Sequence, residues 1–340
     1  MRFLPLNLPR FSVTILNMSQ SLKFDAIGTS WQIDIYDSVG VDAGAENSDA
    51  LSEADLKSIH EKIMARIAIF DKDYSRFRDD SMVADMSRKT GIYQLPDDAP
   101  EMMNLYYKLY ALTGALFTPL IGQTLVDAGY DAKYTLEAKE VGAITKPVTW
   151  TEALNYDAKK NTLEMKRPEL LDFGGIGKGY LIDIVGDILL ENSIRNFCID
   201  AGGDILHVCD DENSGGSDDV QNSAPEIPPL RVGLENPENT KQVIGVVEIR
   251  NKSICGSSGN RRAWKNFHHI INPHTGESSR KILASWVIAK KTIVADALAT
   301  CLFFVPPSVL ITGGFDFEYL ILNNDFSIEK SEGFDAELFS

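Results

Sequence analysis

The sequence predicts an α+β fold. Helical and strand periodicities mix without a regular βαβ beat, and no internal repeat recurs. The 340 residues are 44% hydrophobic and 24% charged, which supplies core for one large domain or two intimate ones. In order along the chain, "KFDAIGTSWQIDIYD" alternates around Trp31, Ile33 and Ile35 and predicts a first strand. In "SEADLKSIHEKIMARIAIFDKDYSRF", Leu56, Ile59, Ile63, Ile67 and Phe70 recur at helical steps, with Ser52 as N-cap. A second helix opens near Pro100 and carries Met103, Tyr106, Tyr107 and Tyr110 as a core stripe until Gly114 stops it. "YLIDIVGDILLEN" predicts a helix with Ile184, Val185, Ile188 and Leu189 on one face. "NFCIDAGGDILHVCD" reads as two strand segments bent at Gly202-Gly203. Strands follow in "LRVGLEN", "QVIGVVEIR", "SICGSSG", "HHIINP" and "ASWVIAK", then a helix through "IVADALATCLFF".

Two segments stand apart from this pattern. Residues 1–20 are broken by Pro5, Asn7 and Pro9 and are expected to be flexible, with Met18 an alternative start. They lack a small-residue cleavage site or a lipoprotein cysteine, which favours a cytoplasmic protein over an exported, periplasmic one. The stretch 209–229 is acidic and rich in Gly, Ser and Pro, and is expected to be a disordered insertion within a single 21–340 domain. The net charge of −16 argues against nucleic-acid and anionic-membrane partners, and no apolar run approaches the ~20 residues of a membrane span. Cys198, Cys209, Cys255 and Cys301 are widely spaced, as expected of free thiols in a reducing compartment.

Three stretches carry chemistry. "LDFGGIGKGYLID" resembles a phosphate-binding loop but fails both familiar motifs. A P-loop needs glycine at 172 and a hydroxyl at 179, where Asp172 and Gly179 stand; a dinucleotide loop needs a small residue at Tyr180. Phosphate binding and a tight turn packing a helix onto a sheet both remain open. In "IVADALAT", Asp296 and Thr300 share one helix face. They are hard oxygen donors suited to Mg²⁺, or else an N-terminal helix carboxylate and a helix-lining hydroxyl. "HHIINPHTG" invites a zinc reading, but His268 and His269 point to opposite faces of a strand and no further ligand sits at zinc spacing. A turn at Asn272-Pro273 beside a site histidine fits better.

Taken in order, "GTSWQI", "SRF…DS", "LTGALFTPLIG", "DFGGIGKGYLID", "DAGGDI", "SGNRRAW", "HHIINPHTG" and "ADALAT" resemble the FAD:protein FMN transferase (ApbE) family, across most of the chain. The resemblance implies a T-fold-related α+β fold of mixed sheets with packed helices, in two intimately associated lobes with a cleft between them. It implies an enzyme that takes FAD and Mg²⁺ and moves FMN to a Thr or Ser hydroxyl of an acceptor flavoprotein with an Asp-Gly-x-Thr-type motif, releasing AMP. By the same resemblance Gly175 (through its carbonyl), Asp296 and Thr300 are metal ligands. Ile27, Phe77, Leu116, Phe117, Thr118, Asp172, Lys178 and Ile271 contact FAD. His269, by residue type and location, is the expected base, with Asp204 or a metal-bound hydroxide as rivals.

This chain departs from the family pattern at two of these places. Phe117-Thr118-Pro119-Leu120 replaces the usual Phe-Asp-Pro-Thr and loses a carboxylate near the flavin, and Ile27 replaces a methionine. The rival functions on the same residues are an FAD pyrophosphatase giving FMN and AMP, and a non-catalytic FAD-binding protein.

Overall fold

The computed structural model describes residues 4–5, 18–36, 51–210, 227–260 and 262–339. Most of the expected flexible segment (1–20) and of the acidic insertion (209–229) lies outside the described residues. After a short strand β1 (Leu4–Pro5), β2 (Met18–Ala26) begins within the segment read as a flexible leader and pairs with β3 (Thr29–Tyr36). "KFDAIGTSWQIDIYD" is therefore a hairpin and not one strand. It turns at Ile27 (φ 45°) and Gly28 (φ 76°), the two successive positive φ values that a type I′ turn requires. The expected alternation survives in β3, where Trp31, Ile33 and Ile35 are buried.

Helix α1 (Glu53–Tyr74) starts where Ser52 accepts a hydrogen bond from the Asp55 N–H, and it buries Ile59, Ile63, Ile67 and Phe70. A short α2 (Met82–Met86) and β4 (Gly91–Gln94) lead to α3 (Ala99–Leu112). There Met103 and Tyr106 are buried as expected, whereas Tyr107 is 56% exposed and rests edge-on against Trp150. The connection to the glycine stretch contains α4 (Gly122–Asp127), α5 (Trp150–Ala153), β5 (Leu154–Asp157) and β6 (Thr162–Met165). Helix α6 (Gly177–Glu191) opens inside the glycine stretch, earlier than expected. Its deepest face is Leu181, Ile182, Val185 and Leu189, while Ile184 and Ile188 are only half-buried.

Strands β7 (Phe197–Ala201) and β8 (Asp204–Val208) form the expected hairpin, with positive φ at Gly202 and Gly203. Then come β9 (Leu230–Glu235), β10 (Gln242–Ile249), β11 (Ser253–Ser258), β12 (Ala263–Trp264) and β13 (Phe267–His268). Of "HHIINP", only His268 belongs to a strand and Ile271 makes an isolated bridge to Ser278; the chain then turns where Asn272 Oδ1 accepts from the N–H groups of His274 and Thr275. The remainder is β14 (Ile282–Ala289), α7 (Thr292–Cys301), α8 (Pro307–Thr312), β15 (Glu318–Asn323), β16 (Ile328–Lys330) and β17 (Ala336–Leu338).

The main sheet has eight antiparallel strands in the order β16-β15-β14-β11-β8-β7-β3-β2. Both of its faces are covered, so the period-2 alternation sends neighbours into two cores. Cys255, Val287 and Ile321 pack with α1, α3, α6 and α7 on one face. Ile254, Trp286, Ile288 and Leu320 pack on the other against the small sheet of β9 and β10. All four cysteines are buried free thiols, and among the described residues no helix is long and apolar enough to cross a membrane.

Candidate active site

Helices α6 and α7 cap each other. The Asp183 carboxylate of α6 accepts the N–H groups of Thr292 and Ile293, both at 2.9 Å, at the start of α7. Asp296 Oδ2 of α7 accepts the Gly179 N–H, at 2.8 Å, at the start of α6. Each N-terminus thus meets a carboxylate from its neighbour, where the helix dipole favours negative charge. Gly179 makes this possible: a Cβ there would lie 2.4 Å from the Thr292 carbonyl oxygen. Burial pushes the Asp183 pKa up to about 6 in spite of its two backbone donors. The glycine stretch therefore serves tight helix packing. The carboxylate that meets this N-terminus in the structure is Asp296.

Lys178, one residue earlier, points to Asp204 at the start of β8, with Nζ 2.7 Å from Oδ2. Burial alone lowers the lysine's pKa, but Asp204 and Asp296 outweigh it, so the ammonium is held charged. Asp204 Oδ1 accepts the Gly256 N–H of β11 at 3.2 Å. The next residue, Ser257, places its hydroxyl 3.2 Å from that of Thr300, a turn beyond Asp296 on α7. Two buried carboxylates thus share one lysine. Burial, and then the Asp204 charge, push the Asp296 pKa above the usual carboxylate range, while Lys178, Gly179 and Arg262 pull it down. Asp296 Oδ1 and the Thr300 hydroxyl, one turn apart on α7, are hard oxygens of the kind Mg²⁺ takes.

A second group of residues gathers around Asp172. Arg76, 7% exposed, donates from Nε to Asp172 Oδ2 and lies 4.2 Å from the Phe77 ring centroid and 4.9 Å from that of Tyr130. Its Nη1 and Nη2 are buried and, among the described residues, have no hydrogen-bond partner. Asp172 Oδ1 also accepts the Gly174 N–H at 2.8 Å, and the Asp172 N–H donates to the Pro119 carbonyl at 2.7 Å, tying the loop at 172–175 to the one at 116–119.

In that second loop Phe117 is buried, stacks on Tyr106 at 5.3 Å and would lie 3.0 Å from a Cβ on Gly175. Thr118 is buried too, and its hydroxyl accepts the Leu120 N–H at 3.2 Å. Threonine there does what a carboxylate would do at a helix N-cap, so losing the family's aspartate keeps the turn. The ring of Phe117 and the side chain of Ile271 pack into buried clusters, so neither side chain is presented to a ligand. Leu116 and Ile27 are half-buried, and Ile27 packs on the main core from the hairpin turn. Phe77 stacks on Tyr134 at 5.5 Å with the rings within 2° of parallel.

The histidine segment divides by role. The ring of His268 lies between the Ser279 carbonyl (Nε2, 2.6 Å) and the Ile270 N–H (Nδ1, 3.2 Å), and burial holds its pKa down. Both nitrogens are in use, which removes it from metal binding; among the described residues no group of three or more His, Cys, Asp and Glu could hold a metal. His269 is half-buried, and its N–H donates to the carbonyl of Arg262, whose charge reaches Asp296. Sequence reasoning missed Arg76, Asp183, Gly256 and Ser257. Arg76 lay inside "SRF", and a basic residue beside a site aromatic was the available signal.

Fold and site together define an α+β protein that gathers two buried carboxylates, a lysine and a hydroxyl pair where two helix ends meet a sheet. The sequence model described as the ApbE family matches residues 27–311, and the chain belongs to that family. A curated relative, the FAD:protein FMN transferase of Haemophilus influenzae, is 25% identical over 299 residues, covering 83% of this chain and 80% of the relative. The solved ApbE protein of Thermotoga maritima shares the fold with a TM-score of 0.73 at 21% identity, over 93% of this chain and 97% of that one. The flavin transferase ApbE of Vibrio cholerae gives 0.69 at 20%, over 93% and 98%.

Proposed function

We propose that the protein is a Mg²⁺-dependent FAD:protein FMN transferase that links FMN to a Thr or Ser hydroxyl of an acceptor flavoprotein and releases AMP. Family membership and the name of the H. influenzae relative support the transferase class. The observation that carries the finer reading is the Asp296–Asp204–Lys178 cluster beside Thr300. The metal, held by Asp296, Thr300 and the Gly175 carbonyl, would supply charge neutralisation at the pyrophosphate. Lys178 adds a fixed positive charge at the same place. Phe77, Asp172 and Arg76 hold the flavin half, with Ile27, Ile271 and the 116–118 loop around it.

In the reaction the acceptor oxygen bonds to the FMN phosphorus, the P–O bond to AMP breaks, and the hydroxyl proton must leave. Both Asp204 oxygens are engaged, one by Lys178 and one by the Gly256 N–H, so Asp204 works as a positioning group. His269 takes the proton. The test is incubation with FAD, Mg²⁺ and a flavoprotein carrying an Asp-Gly-x-Thr-type segment, read by in-gel flavin fluorescence and AMP release. Covalent flavin on the acceptor with AMP is the expected result. AMP with free FMN and an unlabelled acceptor would make the protein a pyrophosphatase, and intact FAD with neither product would make it a binding protein.

A further inference from the structure

Strands β8 and β11 part company early. They pair only at Ser253↔Leu206 and Ile254↔Ile205, so among the described residues Cys255–Ser258 of β11 keeps β14 as its one strand neighbour. The Gly256 N–H, which a longer β8 would have met with a backbone carbonyl, is met instead by the Asp204 side chain. A cavity of about 500 Å³ opens at this split, on the sheet face opposite the helices. Gly203, Gly256 and Ser258 border it, Trp286 and Ile254 line one wall, and Val232 of the small sheet lines the other. The cavity and the candidate active site therefore share a strand. Ser257 reaches Thr300 on the helix side, and a Cβ on its neighbour Gly256 would lie 3.1 Å from the Trp286 indole on the cavity side.

We propose that this split is where the acceptor protein docks, in extended form along the open side of β11; the inference rests on the transferase reading above. An extended segment sends successive side chains to opposite faces. Lying along residues 256–258, it would send one side chain toward Ser257 and Thr300 and the two flanking it into the cavity. Asp204 already meets the Gly256 N–H, so backbone hydrogen bonds are open only along Ser257 and Ser258, and pockets for alternate side chains supply the selectivity. The small residues at Gly203, Gly256 and Ser258 leave the backbone open to such an approach. The occupant is thus a peptide segment whose hydroxyl residue is flanked by side chains small enough to share a cavity of this size. FAD enters from the helix side, where Phe77, Asp172 and Lys178 lie.

The test narrows the cavity from two walls with Ser258→Trp and Ser30→Trp. Ser30 is exposed and its hydroxyl bonds the exposed Asp25, so tryptophan there leaves the buried core untouched. Both variants are expected to raise KM for the acceptor flavoprotein at least ~10-fold while the FAD dissociation constant, read by flavin fluorescence, stays within about twofold. An unchanged acceptor KM in a folded variant overturns the proposal. So does a parallel loss of FAD affinity, which would make the cavity part of the FAD site. If the unsubstituted protein binds FAD but labels no acceptor, the transferase reading itself fails and this inference goes with it.

Discussion

Asp296→Asn is expected to remove Mg²⁺-dependent turnover, by roughly 10³-fold or more, while leaving the protein folded and no less stable. The two halves of this result have separate causes. Asparagine keeps an oxygen to accept the Gly179 N–H, so the cap on α6 survives. Burial and the neighbouring Asp204 charge make the ionised aspartate costly in the fold, so a neutral side chain relieves a penalty. What is lost is the anionic oxygen for a hard cation. Asp296→Ala separates the roles further, because it also strands the Gly179 N–H, at a cost of about 1–3 kcal/mol. Initial rates of AMP release with and without Mg²⁺, together with thermal melts, check both variants. A fully active Asp296→Asn protein would remove Asp296 from the metal site.

Gly179→Ala is expected to destabilise the fold by about 3 kcal/mol or more, although glycine-to-alanine changes in a helix ordinarily gain up to ~1 kcal/mol. The new methyl would lie 2.4 Å from the Thr292 carbonyl oxygen and 2.7 Å from Asp296 Cβ. Backbone cannot rotate out of the way, so α6 and α7 must separate. Separation stretches the Gly179–Asp296 bond and the bonds from Thr292 and Ile293 to Asp183 together. Activity should fall with stability for the same reason. Gly142→Ala is the control, since nothing lies within 4 Å of its would-be Cβ. Urea unfolding midpoints compare the two, and equal midpoints would show that the helices tolerate separation.

What was legible in the sequence was local. The α1 cap and its buried face, the bend at Gly202-Gly203, and the shared face of Asp296 and Thr300 all follow from spacing within one element. The hairpin at Ile27-Gly28 was hidden because isoleucine is a poor candidate for positive φ, so the strand pattern ran through it. The partners that give the site its character stand far apart in the chain: Arg76 with Asp172, Lys178 with Asp204, Ser257 with Thr300. Pairings made by packing a sheet against two helices leave no periodic trace. For the same reason the glycine stretch suggested an anion loop, when its N–H at Gly179 was already promised to a carboxylate on another helix.

The central claim is that Asp296, Thr300 and the Gly175 carbonyl hold a divalent cation against the FAD pyrophosphate. Anomalous diffraction from crystals grown with FAD and Mn²⁺ in place of Mg²⁺ tests it most directly. The account predicts a manganese peak within about 2.3 Å of oxygen atoms from all three residues and next to a phosphate oxygen. A peak elsewhere, or bound FAD with no manganese beside α7, would contradict it.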